Sequence, residues 1–232
     1  MKKAALCYSG QIRNFKECFD THLKHLIKAN PDIEFYIFGH FWNDPNLYGQ
    51  KYWGAYSDRG SFSEENINSV MSKGFSSILF EKPIDFKSQL TPDSRFPHPV
   101  QNIFSMFYSI ELSYNLFFNF LNLTKKDFDW VFRIRTDLFF EKDLILDSFD
   151  NSNIYLNNQY VHTNYAVNDL FAFSSAENMR QYCSTFSFLE KMAGDGCAVN
   201  PECFLGFNLH SSEKNIEKVD LQNKIFKLYR DK

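Results

Sequence analysis

Glycine-rich phosphate loops are missing from this 232-residue chain. Neither Gly-x-Gly-x-x-Gly nor Gly-x-x-x-x-Gly-Lys-[Ser/Thr] occurs, which excludes a dehydrogenase-type dinucleotide loop and a P-loop. Cys-x-x-Cys pairs are absent too, so a structural zinc site is not expected. The five cysteines, Cys7, Cys18, Cys183, Cys197 and Cys203, are odd in number and scattered, which suits a reducing cytoplasm better than a disulfide framework. A cationic excess is lacking: 25 Lys and Arg face 28 Asp and Glu, for a net charge of −3. That balance argues against a nucleic-acid partner, while leaving room for a local basic groove. No apolar run approaches the length of a membrane span, because Gln101, Asn102, Glu111, Asn115 and Asn119 interrupt the most apolar stretch. The opening "MKKAALCYSG" imitates a secretory leader, but its apolar run, Ala4 to Tyr8, is too short and reads as a first strand.

What the chain has in quantity is aromatic side chains, 27 Phe and 12 Tyr. Most must form core, and some are available to stack on a sugar or a base. A mean hydropathy of −0.38 describes a globular chain large enough for one α/β domain.

The first strand spans Lys3 to Tyr8 and gives way at a Ser9-Gly10 turn. A helix over about Phe15 to Ala29 follows, with Phe15, Phe19, Leu23 and Leu26 at helical spacing, stopped by Asn30-Pro31. "IEFYIFGHFW" is a strand apolar on both faces, as a parallel sheet requires. Asn43 to Gly60 reads as a loop, Ser61-x-x-Glu64 as a capping box for a short helix, and "FSSILF" as the third strand. Pro83 to Pro99 is a long proline-rich loop, and Gln101 to Leu123 a helix buried between layers. "WVFRI", "NIYLNNQYV" and "DLFAFSS" supply further strands. Ser174-x-x-Glu177 caps a helix to about Met192, Asn200-Pro201-Glu202 opens another, and a polar Lys-rich tail ends the chain. The expected fold is a single α/β domain, residues 1–232, with a mostly parallel sheet and a mixed C-terminal half.

The chemistry concentrates where the fourth strand turns polar. "WVFRIRTDLFF" puts Arg133, Arg135 and Asp137 on alternate positions, hence on one face if the strand continues. Open α/β sheets bind ligands at the carboxyl ends of their strands. There Asp137 could hold a divalent ion bridging two phosphates, with an arginine neutralising the remaining charge. The plainer alternative is a structural Arg–Asp pair. "ALCYSGQIRNF", Ala5 to Phe15, is a second strand exit with a lone glycine and an arginine three residues later.

The series "CYSGQIRNF", "IFGHFW", "VFRIRTDLFF", "NDLFAFSS" and "NPECFLG", in this order, resembles GT-A-type nucleotide-sugar glycosyltransferases. More narrowly, it resembles lipopolysaccharide-synthesis glycosyltransferases of bacteria and large viruses. The likeness spans roughly Lys3 to Leu209. It implies a GT-A-like (Rossmann-like) fold whose residues 1–123 bind nucleotide and whose residues 124–232 serve metal and acceptor. By the resemblance Ser9, Gly10, Gln11 and Arg13 meet the nucleotide and its diphosphate, together with Arg133 and Arg135, and His40, near Trp42, lies against the base, the alternative for His40 being a packed core histidine. Asp137 is the counterpart of the metal-binding aspartate that ends an Asp-x-Asp motif, with Mn²⁺ or Mg²⁺ as cofactor. The motif here is Arg135-Thr136-Asp137, so its first aspartate is missing and metal independence stays open. Asp169 and Glu202 are the candidate bases for the acceptor hydroxyl. Asp169 is favoured, because Glu202 is already explained by its place at a helix start. His162 and His210 could complete a metal site.

The implied activity is transfer of a sugar from a nucleoside-diphosphate sugar to a glycan or lipid-linked acceptor, in the cytoplasm. Aromatic residues of the Asn43–Gly60 and Pro83–Pro99 loops would shape the acceptor groove. Two other classes fit the same residues: a catalytically inactive nucleotide- or glycan-binding domain, and a nucleotidyltransferase, which would want more than one metal carboxylate near Asp137.

Overall fold

The computed structural model describes residues 1–48, 51–52, 60–61, 63–95, 98–157, 163–222 and 224–229. A seven-stranded sheet forms the centre. Its first strands are β1 (Lys2–Gln11) and β2 (Ile33–Trp42), joined by α1 (Phe15–His22) and a π-helical turn over Leu23–Ile27. The two-residue strands β3 (Lys51–Tyr52) and β4 (Gly60–Ser61) pair with each other outside the sheet. Then come α2 (Glu64–Met71), β5 (Ser77–Glu81), the long α3 (Val100–Thr124), β6 (Trp130–Arg135) and β7 (Leu138–Phe140). The chain continues through β8 (Ile154–Asn157), β9 (Phe171–Ser174), α4 (Ala176–Cys183), α5 (Leu189–Gly194), α6 (Pro201–Ser211), β10 (Ile216–Val219) and β11 (Phe226–Leu228).

Strand order is β10-β8-β9-β6-β1-β2-β5. Every pairing is parallel except the two made by β9, which runs against β6 and β8. The sheet is therefore mixed but mostly parallel, and helices cover both faces. The period-2 alternation of a strand divides the core. Ala5 and Cys7 of β1 and Val131 of β6 face α3, α4, α5 and α6. Ala4, Leu6 and Tyr8, with Phe132 and Ile134, face α1, α2 and β7. Along α3 the buried side chains Ile103, Phe104, Phe107, Ile110, Tyr114 and Phe117 recur at helical spacing. Each such burial contributes roughly 2 kcal/mol. No helix among the described residues is long and apolar enough to cross a membrane.

One topological feature positions the site. From β1 the chain winds outward through β2 to β5, then returns over α3 to lay β6 on the other side of β1. The strand order reverses between β1 and β6, and the carboxyl ends of strands flanking such a reversal leave a crevice.

Several boundaries differ from the sequence reading. β1 does not turn at Ser9-Gly10 but stays paired to β2 through Gln11, with Gly10 at φ +105°. A Cβ there would meet nothing within 4 Å, so it is backbone conformation, not space, that calls for glycine. The caps of α2 and α4 are Ser63 and Ser175, whose hydroxyls accept from Asn66 N and Asn178 N, instead of Ser61 and Ser174. The helix expected to reach Met192 is broken by a 3₁₀ turn over Ser184–Phe188. The Lys-rich tail is not loose polar chain: it supplies β10 at the sheet edge and β11, antiparallel to β7.

Candidate functional site

The two strand exits meet at the reversal. Ser9 of β1 is the register partner of Arg135 at the end of β6. After Arg135 the chain does not continue as one strand. It turns at Thr136-Asp137 and leaves the central sheet for β7. The Thr136 hydroxyl donates to the Gln11 carbonyl at 2.7 Å, tying the turn to the end of β1. From the far end of the chain, Tyr229 N donates to the Asp137 carbonyl at 2.8 Å, and Asn14 Nδ2 donates to the Tyr229 carbonyl at 3.1 Å.

A cavity of about 420 Å³ opens at this point. Ser9, Gly10, Gln11, Arg13, Arg133, Arg135, Asp137, Asp169 and Glu202 all line it, joined by Trp42, His98, Asn102 and Asn200. Residues spread over almost the whole chain thus converge on one space, in a volume suited to a small molecule. His40 is the expected site residue that does not reach this wall. It is fully buried, with Nδ1 2.8 Å from Ser109 Oγ and Nε2 3.0 Å from Glu81 Oε2, and lies edge-on to Trp42. Its place is that of a satisfied core histidine, and Trp42 is the neighbour that lines the cavity. His210 is exposed in the last turn of α6, about 12 Å along the helix from Glu202. His162 and most of the Asn43–Gly60 loop beyond residue 48 lie outside the described residues. Of the Pro83–Pro99 loop, Phe86 packs on Phe104, Tyr108 and Phe186, while His98 and Pro99 face the cavity.

The arginines and Asp137 form one ionic cluster. Arg135 grips the carboxylate with both arms, Nε to Oδ1 at 2.9 Å and Nη2 to Oδ2 at 2.8 Å. Arg13 Nη1 adds a bond to Oδ2 at 2.7 Å. Asp137 is 1% exposed. Burial acts against its charge, but the Arg135 and Arg13 guanidiniums outweigh it and hold the carboxyl well below the usual carboxylate range. The same pairing overcomes burial at Arg135 and raises its pKa further. Arg133 is also buried and donates Nη1 to the Leu170 carbonyl at 2.5 Å. Burial pulls its pKa down, opposed by the nearby Tyr182 and Asp169.

Buried polar atoms with no hydrogen-bond partner among the described residues gather here as well: Ser9 Oγ, Gln11 Oε1, Arg133 Nε and Asn200 Nδ2 all belong to cavity-lining residues. Folded chains rarely leave such atoms unsatisfied without a functional reason. Their concentration at one wall marks a surface built for polar contacts from outside the chain.

Opposite in character are Asp169 and Glu202. Asp169 precedes β9, and Glu202 sits in the first turn of α6. The two segments are tied by Val167 N donating to the Glu202 carbonyl at 3.1 Å. They also meet at Gly206, where a Cβ would stand 1.8 Å from the Tyr165 carbonyl oxygen. The helix start is capped by Asn200, whose Oδ1 accepts from Glu202 N and Cys203 N. Capping therefore does not depend on the Glu202 side chain. Burial and, secondarily, the charge of Asp169 push the Glu202 carboxyl up to about 7. The sequence offers Glu202 as a candidate base and also a helix-start role for it, which tips the choice to Asp169; the signal for Asn200 as the cap is present in Asn-Pro-Glu itself.

A divalent cation fits this donor set poorly. Both oxygens of Asp137 are already taken by guanidiniums. Among the described residues no three His, Cys, Asp or Glu side chains cluster as a metal site would need. An ion displacing one bond would stand beside a guanidinium, and at a separation of ~5 Å the repulsion is on the order of 7 kcal/mol at an effective dielectric of 20. This is the physical reason against Asp137 as a ligand of Mn²⁺ or Mg²⁺, the role that the resemblance gave it.

No known protein-family model matches the chain, and a search of curated proteins finds no match either.

Proposed function

We propose that the chain is a GT-A-like glycosyltransferase that moves a sugar from a nucleoside-diphosphate sugar to a hydroxyl of a glycan or lipid-linked acceptor. The observation that carries this reading is the cavity at the strand-order reversal, lined by three arginines together with Asp169 and Glu202. The guanidiniums suit a diphosphate, which accepts paired hydrogen bonds and leaves with negative charge. Glu202 suits a general base, since a carboxyl held near 7 can take a proton at neutral pH and still be ionised often enough to act. Asp169, favoured from the sequence, then works through Glu202: its charge helps to keep that carboxyl basic. In the step itself the Glu202 carboxylate removes the acceptor hydroxyl's proton. The acceptor oxygen forms a bond to the anomeric carbon, and the carbon–oxygen bond to the diphosphate breaks. Its electron pair leaves on the diphosphate, opposite the guanidiniums. The five cysteines, all buried as thiols, agree with a cytoplasmic setting.

The test is a panel of UDP- and GDP-linked sugars with glycan and lipid-linked acceptors, reading released nucleotide and product mass. Acceptor-dependent release with a sugar-sized mass gain is expected. Nucleotide binding with no turnover on any acceptor would leave a binding domain instead. A nucleotidyltransferase is the weaker alternative, because among the described residues no three His, Cys, Asp or Glu side chains cluster as its metal site would need.

A further inference from the structure

We infer that this cavity binds the diphosphate of its ligand without a divalent cation, and that Asp137 acts there as an internal counter-ion clipping Arg13 and Arg135 into one anion receptor. The inference rests on the nucleotide-sugar reading for the ligand class, but its geometry stands by itself. In a cation site, the aspartate would offer a free oxygen edge to the ion. Here Arg135 occupies that edge bidentately, and Arg13 completes it from the neighbouring strand exit. A carboxylate 1% exposed between two guanidiniums fixes their planes and spacing before any ligand arrives. A guanidinium carries more N–H donors than one carboxylate edge can accept, so the clip leaves Arg135 able to serve a second anion.

Two further observations point to an anion, not to a purely structural ion pair. Arg133, 2% exposed and on the same wall, has a buried Nε with no acceptor among the described residues. Such a donor is costly unless a ligand supplies the oxygen. Ser9, register partner of Arg135, likewise carries a buried hydroxyl with no partner among the described residues. Three guanidiniums face the cavity against Asp137, Asp169 and a Glu202 that is held partly protonated near neutral pH, so the wall retains positive charge for an incoming anion. The charge neutralisation that a bound cation would supply is met by the chain's own side chains.

The test uses the full chain with inorganic pyrophosphate and, separately, UDP and GDP, titrated calorimetrically in EDTA and in excess Mn²⁺ or Mg²⁺. Pyrophosphate and at least one nucleotide are expected to bind in EDTA, with affinity changed less than threefold by either metal and weakened by salt. Tenfold or greater loss of affinity in EDTA would overturn the inference. The variant Asp137→Asn separates the two roles further: a metal ligand's loss abolishes binding, whereas a counter-ion's loss removes a competing negative charge. Pyrophosphate binding by the variant that survives in EDTA, tighter from the lost charge or weaker from the lost clip, supports the counter-ion role, and abolished binding overturns it. If that variant does not fold, the metal titration on the native chain decides alone. Metal-free binding with no sugar transfer would keep this inference and sink the transferase reading. Transfer that occurs only with Mn²⁺ would do the reverse.

Discussion

Removing the charge of Asp137 is the perturbation with the most calculable outcome. In Asp137→Asn the side chain keeps its shape, yet two guanidiniums lose their carboxylate in a place where the residue is 1% exposed. Breaking a buried ion pair by neutralising one partner costs ~3–5 kcal/mol. Arg13 and Arg135 retain 29% and 19% side-chain exposure, so water can take up part of their charge and the cost falls at the low end, about 3 kcal/mol. For a chain of this length that corresponds to a fall in Tm of roughly 6–12 °C. The pH dependence follows in sign. The folded-state pKa of Asp137 lies below its unfolded value of 3.8, so its contribution is complete above that value and is lost as pH falls through the folded pKa. Wild type and variant should therefore converge in strongly acidic solution. Pyrophosphate at a hundred times its Kd should return about 2.7 kcal/mol to either protein. Urea unfolding at pH 7 with and without pyrophosphate measures both quantities. A destabilisation below about 1 kcal/mol at pH 7 would refute the idea that the cluster is an energetically coupled clip.

Three other perturbations probe different parts of the molecule. Glu202→Gln should lower kcat/KM by about 10²–10⁴ and abolish an activity limb that rises through pH 7 in the wild type; a limb that persists in the variant would remove Glu202 from the base role. His22 is buried and neutral, its Nε2–H donated to the Leu138 carbonyl and its Nδ1 accepting from Tyr8, and burial pushes its pKa down to about 4. Its folded value lies below the ordinary 6.5, so stability falls as pH drops from 6.5 toward 4, by on the order of 3 kcal/mol. Glu202 opposes this, because its raised folded pKa makes stability fall as pH rises from 4.5 to 7. The urea midpoint of Glu202→Gln should consequently climb more steeply between pH 4.5 and 6.5 than that of the wild type, and equal slopes would contradict the assignment. Gly206→Ala forces a methyl group against the Tyr165 carbonyl and should cost ~1–3 kcal/mol, read as a lower urea midpoint; an unchanged midpoint would show that the approach of α6 to that segment can relax freely.

How much of this was legible in the sequence depends on how far apart the deciding partners lie. β2 was readable to the residue, because an apolar run on both faces between Pro31 and Asn43 has few other uses. The core of α3 was readable because its polar interruptions fall outside the buried positions Ile103, Phe107, Ile110 and Phe117. Caps were misread by one or two residues where serines cluster, since Ser61 and Ser63, or Ser174 and Ser175, satisfy the same local rule and packing chooses between them. The strands of the tail were invisible for a different reason. β10 is a short edge strand with two exposed central residues, and β11 gains its identity only by pairing with β7, more than eighty positions away.

The site shows the same division. Alternation along β6 brought Arg133 and Arg135 to one face, as a strand must. Asp137 joined them by another route, through a turn that lets the carboxylate fold back onto Arg135 where a straight strand would have carried it onward. Which role such an aspartate takes is decided by its third partner. With Arg13 absent, Arg135 and Asp137 would be a local pair whose Oδ2 still had a lone pair to offer a cation. Arg13 arrives from the exit of β1, 124 positions earlier, and takes that position at 2.7 Å. No rule of spacing links residue 13 to residue 137; only the reversal of strand order that makes β1 and β6 neighbours does so. The chemistry of the "RTD" motif is thus a property of the topology, and changing Arg13 alone should move it. In Arg13→Met one oxygen of Asp137 loses a bond while the Arg135 fork remains, so a response of diphosphate affinity to Mn²⁺ should emerge where none is expected of the native chain. Calorimetric titration of that variant in EDTA and in Mn²⁺ is the direct measurement, and identical affinities in both would mean that Arg13 is not what keeps a cation from Asp137.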